Sequence, residues 1–297
     1  MTLEADAGQL QRLEAFERSF ATERRKLWVQ TAIYAALIVA GLIYSVSFSQ
    51  FSIDGLVSGL PDAWRYISST FPTIHAATFS TDMGNWYWNW PRWLELLAET
   101  VLMSFVGTVA GSVVALLLCF SASRNLVRSN AVYFLSRRVL ELARTVPDTV
   151  YAMIFVFAFG IGPLPGVFAI AVHTAGALGK LFSEVNESAD VRPIEGVTAA
   201  GGSWPTIMRL AVLPQVLPNF LSYALLRLES NIRSASVLGI VGAGGIGEEL
   251  YLSIRQFDYQ DISAIVLLII VVVMVTDLSC EAIRHRVISK EALRFTS

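Results

Sequence analysis

The sequence predicts an all-α, polytopic membrane protein with six transmembrane helices, and three observations carry that prediction. Hydrophobic residues make up 54% of the 297 and charged residues only 15%, with a mean hydropathy of +0.56, whereas a water-soluble domain carries about 25% charged residues. Six stretches reach or approach the roughly 20 apolar residues that cross a bilayer as a helix: Leu27 to Val46, Leu96 to Phe120, Val139 to Phe159, Leu164 to Leu181, Val212 to Ile232 and Ile262 to Cys280. The Lys and Arg residues concentrate in alternate connections, the other loops holding only Arg65 and Arg92 in the first and Arg255 in the last. Arg24, Arg25 and Lys26 precede the first stretch, Arg124, Arg128, Arg137 and Arg138 join the second to the third, Lys180, Arg192 and Arg209 flank the fourth-to-fifth connection, and Arg284, Arg286 and Lys290 follow the last. Basic residues in short loops are retained on the cytoplasmic side, so both termini are expected there.

Taken in order, residues 1–26 read as a cytoplasmic amphipathic segment through Leu10, Leu13, Phe16 and Phe20. Glu4, Asp6, Glu14 and Glu17 stand where a cleaved signal would be basic. The first span is 27–46, followed by a long outer loop, 47–93. That loop ends on Trp86, Tyr87, Trp88, Trp90 and Trp93, amphipathic rings of the kind that gather at a membrane boundary. Residues 94–286 form the transmembrane core and 287–297 a cytoplasmic tail. Within the core, Glu141 is flanked at helical spacing by Arg137, Arg138 and Arg144, which predicts an ion-paired cluster, and Pro147 just beyond predicts a kink. Cys119 and Cys280 lie in apolar spans with no metal or redox spacing. The net charge of -2 gives no reason to expect a nucleic-acid partner.

Residues 183–211, between the fourth and fifth spans, are too polar for lipid and rich in helix formers and turn residues, which predicts a folded cytoplasmic excursion. It reads Glu195-Gly196-Val197, three residues, Gly201, nine residues, Ala211, one residue, Leu213-Pro214. This resembles the cytoplasmic loop signature of binding-protein-dependent ABC importer permeases, E-A-A, three residues, G, nine residues, I, one residue, L-P. The spacing agrees throughout; Gly196, Val197 and Ala211 depart from it. The resemblance implies that Glu195, Ala200, Gly201, Leu213 and Pro214 couple the chain to an ATPase subunit. Gly201 suits a sharp turn between two short helices, and Glu195 with Glu184, Glu187 and Asp190 offers carboxylates to a partner.

Further segments, Gly160 to Gly166, His173 to Lys180 and Leu238 to Gly247, are similar to the phosphonate importer permease family over roughly Glu95 to Arg286. A methionine-importer permease is a more distant likeness. The resemblance implies a type I ABC importer permease core like that of the methionine permease, in a bacterial inner membrane, with loop 47–93 periplasmic. It also implies a cargo of phosphonate, phosphite or a phosphate ester, a dimer of ABC ATPase subunits, a second permease copy and a periplasmic or lipid-anchored binding protein. No cofactor is expected on this chain; no G-x-x-x-x-G-K-[ST] occurs, so ATP and Mg belong to the ATPase.

Gly242, Gly244 and Gly247 satisfy G-x-G-x-x-G after the strand-like Ser236 to Val241, with Asp261 at a suitable distance for a ribose. That fingerprint has meaning only inside a βαβ unit, and none is present. Gly242, Gly244, Gly245 and Gly247 read instead as a glycine-rich re-entrant loop that lines a cavity, which the resemblance places near the outer gate. Either an anion-binding nest or close packing accounts for the glycines.

At 100° per residue, Asn219, Tyr223, Arg227, Ser230 and Ser234 share an arc of the fifth span bordered by Ser222, Glu229 and Arg233. Ionisable groups in a span default to function. Glu229 and Arg233 stand four apart and are expected to pair, which leaves Arg227 free. Arg227 and His173, with Arg233, Tyr223, Glu229 and Ser234 around the same pathway, offer a transient site to an oxyanion, or else they are satisfied within the bundle. No H-E-x-x-H or G-x-S-x-G motif supports an intramembrane hydrolase, so no catalytic or metal-binding residue is assigned. A secondary transporter would have no use for a motor-docking loop.

Overall fold

A computed structural model of the chain describes residues 2–49 and 52–292, with side chains for 20, 22–49 and 52–286. Every described element is helical; among the described residues there is no strand. The chain divides into two units, 1–68 and 69–297. The first holds α1 (Thr2–Phe48) and most of α2 (Ile53–Thr70). The amphipathic segment expected at the N-terminus runs straight into the first span as one helix; the side chains of Leu10, Leu13 and Phe16 lie outside the described residues.

The second unit holds α3 (Phe79–Trp86), α4 (Trp90–Cys119), α5 (Asn130–Thr145), α6 (Asp148–Phe159), α7 (Pro163–Glu187), α8 (Val191–Ala199), α9 (Trp204–Ile207), α10 (Leu213–Leu238), α11 (Ile246–Gln256) and α12 (Tyr259–Ala292). Among the described residues, four helices are long and apolar enough to cross a membrane: α1 over Thr22–Phe48, α4, α7, and α12 over Tyr259–Arg286. Two bent pairs, α5 with α6 and the Trp204–Val241 run with α11, raise the number to six if each pair is one span.

The third span departs from expectation. Val139 to Phe159 is not one helix: the chain turns by 86° between α5 and α6. Proline excludes its predecessor from helical angles, and Val146 accordingly sits at φ -78, ψ 126. The charge cluster ties α5 to its neighbours. Arg138 pairs with Glu141 at 2.7 Å as expected, but Arg137 pairs with Glu187 of α7 at 2.8 Å and lies over the Tyr133 ring. Leu140 fills the hollow left by Gly179 on α7, where a Cβ would lie 2.5 Å from its Cδ2.

Small residues let the central helices approach. A Cβ on Gly111 of α4 would fall 2.6 Å from the Ala171 carbonyl oxygen and 2.7 Å from Thr174 Cβ on α7, the close packing that membrane helices use in place of a hydrophobic driving force. The tryptophan cluster is split. Trp86 and Trp93 are buried against α11 and α12, with Trp86 Nε1 donating to Ser263 Oγ at 3.0 Å, while Trp88 and Trp90 stay exposed as boundary residues would. Leu178, Phe182, Val216 and Phe220 form the core below, where the Phe182 and Phe220 rings stack at 4.0 Å.

Candidate functional site

The segment between α7 and α10 is shorter than the expected 183–211 excursion, because α7 continues to Glu187 and α10 is reached through a π-helical turn at Met208–Val212. That turn precedes Pro214, which brings no N–H to an α-helical ladder. Asp190 caps α8 by accepting from the Arg192 N–H at 3.0 Å. Gly201, at φ +80, ends the helix as the sequence required, and the Gly202 N–H closes the turn onto the Val197 carbonyl at 2.9 Å. Ile194 and Val197 face inward, leaving Glu195, Ala200, Gly201 and Pro214 exposed and Leu213 half-buried.

The carboxylates proposed for a partner are mostly spent within the chain. Glu187 accepts from Arg137 and from the Arg124 N–H, Glu184 lies 3.7 Å from Lys180, and Asp190 is the cap. Glu195 makes no ion pair among the described residues.

The structure brings Arg227 of α10 and His173 of α7 together and adds a residue that sequence reasoning passed over, Asp148 at the start of α6. Arg227 and Asp148 both lie close enough to His173 to act on its charge, and Asp148 acts on Arg227 in the same way. Helix length explains the meeting. The Gly162 N–H donates to the Gly242 carbonyl at 3.0 Å, so the α6–α7 turn and the end of α10 share one junction. From the helix ends nearest that junction, Phe159, Pro163 and Leu238, the residues Asp148, His173 and Arg227 lie about ten or eleven positions along their helices, roughly 15 to 17 Å at 1.5 Å per residue. Arg227 Nε and His173 Nδ1 are buried and have no hydrogen-bond partner among the described residues. Asp148 lies in the middle of the expected third span, Val139 to Phe159, where an ionisable group is itself a signal; it was missed beside Pro147, which drew the reading toward a kink.

The other polar residues of α10 divide. Arg233 pairs with Glu229 at 2.9 Å, as its spacing required, and also with Asp277 of α12 at 2.9 Å, so its guanidinium is committed to two carboxylates. Tyr223 packs on the lower core and Ser234 is half-buried. Asn231, absent from both helical arcs, is buried: its Nδ2 donates to Thr108 Oγ1 of α4 at 2.8 Å and to Thr174 Oγ1 of α7 at 2.9 Å. Three central helices are thereby tied at one atom.

Ser236 to Val241, strand-like in sequence, completes α10 and a 3-10 turn. The amides that lead into α11 are engaged. Glu99 of α4 accepts from the Gly245 N–H at 3.1 Å and Thr100 Oγ1 from the Ile246 N–H at 2.9 Å. A carboxylate at the N-terminus of α11 satisfies its orphan donors and its dipole, and its charge disfavours a second anion there. Close packing accounts for the rest: Gly244 lies against Glu99 and the Gly162–Pro163 backbone, and a Cβ on Gly247 would fall 2.3 Å from the Ser236 carbonyl oxygen. Gly242 and Gly244 take φ +85 and +75.

A helical core whose spans are broken by glycine and proline, with partly buried charge at mid-depth and an exposed short helix leading into a polar span, is the architecture of a type I ABC importer permease. The chain belongs to the binding-protein-dependent transport system inner membrane component family, whose model matches residues 107–290. It is 42% identical over 185 residues to the phosphite transport system permease protein PtxC of Stutzerimonas stutzeri, covering 62% of this chain and 67% of that one. Similarity to the putative phosphite transport system permease protein HtxC of the same organism is 29% over 276 residues, covering 92% and 90%. The phosphate-import permease protein PhnE of Mycolicibacterium smegmatis is 39% identical over 190 residues, covering 64% of this chain and 36% of its own length. In fold, an inward-facing MetNI methionine ABC transporter matches with a TM-score of 0.57 at 21% identity, over 66% of this chain and 95% of that one. The chain is therefore a membrane-embedded permease subunit of an ABC importer.

Proposed function

We propose that this permease carries a phosphorus oxyanion, phosphite or phosphonate, past Arg227 and His173. The observation that supports this reading is a guanidinium at mid-depth whose Nε is buried and unpartnered, in a protein whose relatives are named for phosphite and phosphate transport. A guanidinium fork suits phosphoryl-type oxygens. Asp148 tempers it: a pathway site must hold its cargo weakly enough to release it, and a neighbouring carboxylate lowers the local positive field. Energy comes from ATP and Mg on a separate ATPase dimer that docks at Glu195, Ala200, Gly201, Leu213 and Pro214. A periplasmic or lipid-anchored binding protein selects the cargo, and both termini of the permease are cytoplasmic. Glu99 and the glycines at 242, 244, 245 and 247 hold the outer gate.

Reconstitution of the permease with its ATPase and binding protein in proteoliposomes tests the reading. Arg227→Ala is expected to reduce phosphite or phosphonate uptake by about tenfold or more, the loss of one charge-assisted contact worth about 1.5–3 kcal/mol. Arg227→Lys, which keeps the charge and loses the fork, should retain part of the uptake. Full coupled uptake by Arg227→Ala with unchanged ATPase stimulation would refute it. Calorimetric titration of the binding protein with phosphite, phosphonates, phosphate esters and methionine decides the cargo independently.

A further inference from the structure

The segment between the first two spans contains a surface that the transport reading does not use. In α2, Ile53, Leu56, Leu60, Trp64 and Ile67 fall with Val57 and Ala63 within an arc of about 120° at 100° per residue, and Asp54, Ser58, Asp62 and Arg65 occupy the opposite side. No residue of α2 is buried; Leu60 is 58% and Trp64 70% exposed. An apolar helical face of this width normally lies against something.

We propose that α2 lies in the outer interfacial layer of the bilayer, with its apolar face among the acyl-chain ends and its polar face in water. Connectivity selects lipid as the occupant. The segment leaves the membrane at Phe48, the end of one crossing helix, and re-enters at Trp90, the start of the next. Two consecutive crossing helices joined by one segment leave and re-enter on the same side of a bilayer. Four residues, 49–52, join Phe48 to α2, a reach of about 14 Å at 3.5 Å per residue, so α2 begins close to where α1 leaves the membrane. Its apolar face is thus continuous with the lipid surface that α1 already presents, and every described residue of α1 is exposed. The polar face carries one Arg against two Asp, so the attachment rests on apolar burial and Trp64 at the interface, not on attraction to anionic headgroups. The inference needs only the membrane topology and stands whichever solute is carried.

Spin labelling of the full-length permease in lipid nanodiscs tests it. Cys119 and Cys280 are buried, which directs the label to an introduced thiol. Leu56→Cys and Leu60→Cys are expected to give labels relaxed by oxygen and shielded from a water-soluble nickel reagent, at a depth of about 5–10 Å. Ser58→Cys and Asp62→Cys should show the reverse. The pattern should be the same in zwitterionic and anionic lipid. Equal access of the nickel reagent to all four positions would overturn the proposal, as a helix in bulk water. Shielding of the Leu56 and Leu60 labels from both reagents would also overturn it, as a helix packed on protein. Dependence on anionic lipid would refute the stated mode of attachment.

Discussion

Asn231 and Arg233 stand two residues apart on α10 and answer to different surroundings. Asn231 is 1% exposed and spends both amide hydrogens on threonine hydroxyls of other helices. Where no water can replace a lost partner, such bonds tie helices together, though each contributes only about 0.6–2 kcal/mol in a membrane. Asn231→Leu, close in volume, is expected to lower the stability of the purified subunit by about 1 kcal/mol, read as a lower unfolding midpoint in thermal melts. A midpoint unchanged from the parent would mean that the two bonds contribute nothing net. The sequence concealed this residue because one amide among several on a helix that also carries Arg, Glu and Ser reads as one more polar position. Burial depends on where α4 and α7 lie, and their approach is set by glycines that hydropathy does not register. Arg227 and His173 were legible because ionisable groups are conspicuous in apolar runs. Asp148 carried the same signal inside the expected third span, Val139 to Phe159, but its place beside Arg227 and His173 follows from helix lengths counted from a shared turn, which hydropathy does not register.

Helices succeed or fail here on close approach and on how they end. Gly111→Ala places a methyl 2.6 Å from the Ala171 carbonyl oxygen, and backbone atoms cannot step aside as a flexible side chain would. A destabilisation of about 1–3 kcal/mol is expected from overpacking. The same change at Gly41 of α1, where nothing lies within 4 Å, should be neutral or slightly stabilising through helix propensity; comparison of the two melting midpoints checks both. Gly201 tests the other property. A side chain at φ +80 costs about 1 kcal/mol or more, and strain there is relieved by shifting α8. Gly201→Val is accordingly expected to leave the permease folded and to weaken its stimulation of the partner ATPase several-fold, measured as phosphate release. Full stimulation would argue against a coupling role for this turn. The spans themselves were readable as runs of apolar residues, and α8 was readable from its motif. The 86° turn at Val146–Pro147 was foreseen only as a kink, because proline marks a break without stating its angle. α2 was passed over as loop because its apolar residues come three and four apart and never form a run.

The whole molecule displays charge on helices that belong to candidate membrane spans. Glu229, Arg233 and Asp277 form a triad across α10 and α12, and the Arg233 side chain is 49% exposed. One oxygen of Asp277 is buried with no hydrogen-bond partner among the described residues. Apolar residues of α12 (Ile270, Val273 and Met274) flank the triad, so its setting is neither headgroup nor loop. A guanidinium facing hydrocarbon costs at least about 2.5 kcal/mol at the centre of a helix, and pairing with carboxylates offsets only part of this while half of the side chain remains uncovered. The cost is removed if this face of α10 and α12 meets a second permease or a water-filled pathway between two copies. Isologous pairing would set two triads across one axis. Co-expression of two differently tagged copies, followed by sequential affinity purification, should therefore recover both tags in one assembly, and Arg233→Ala should lower that recovery more than Glu229→Gln, because it strands two carboxylates whereas Glu229→Gln leaves Arg233 paired with Asp277. Recovery of a single tag, together with a permease of different sequence, would mean that an unlike subunit covers the face; the triad should then find its complement on that chain.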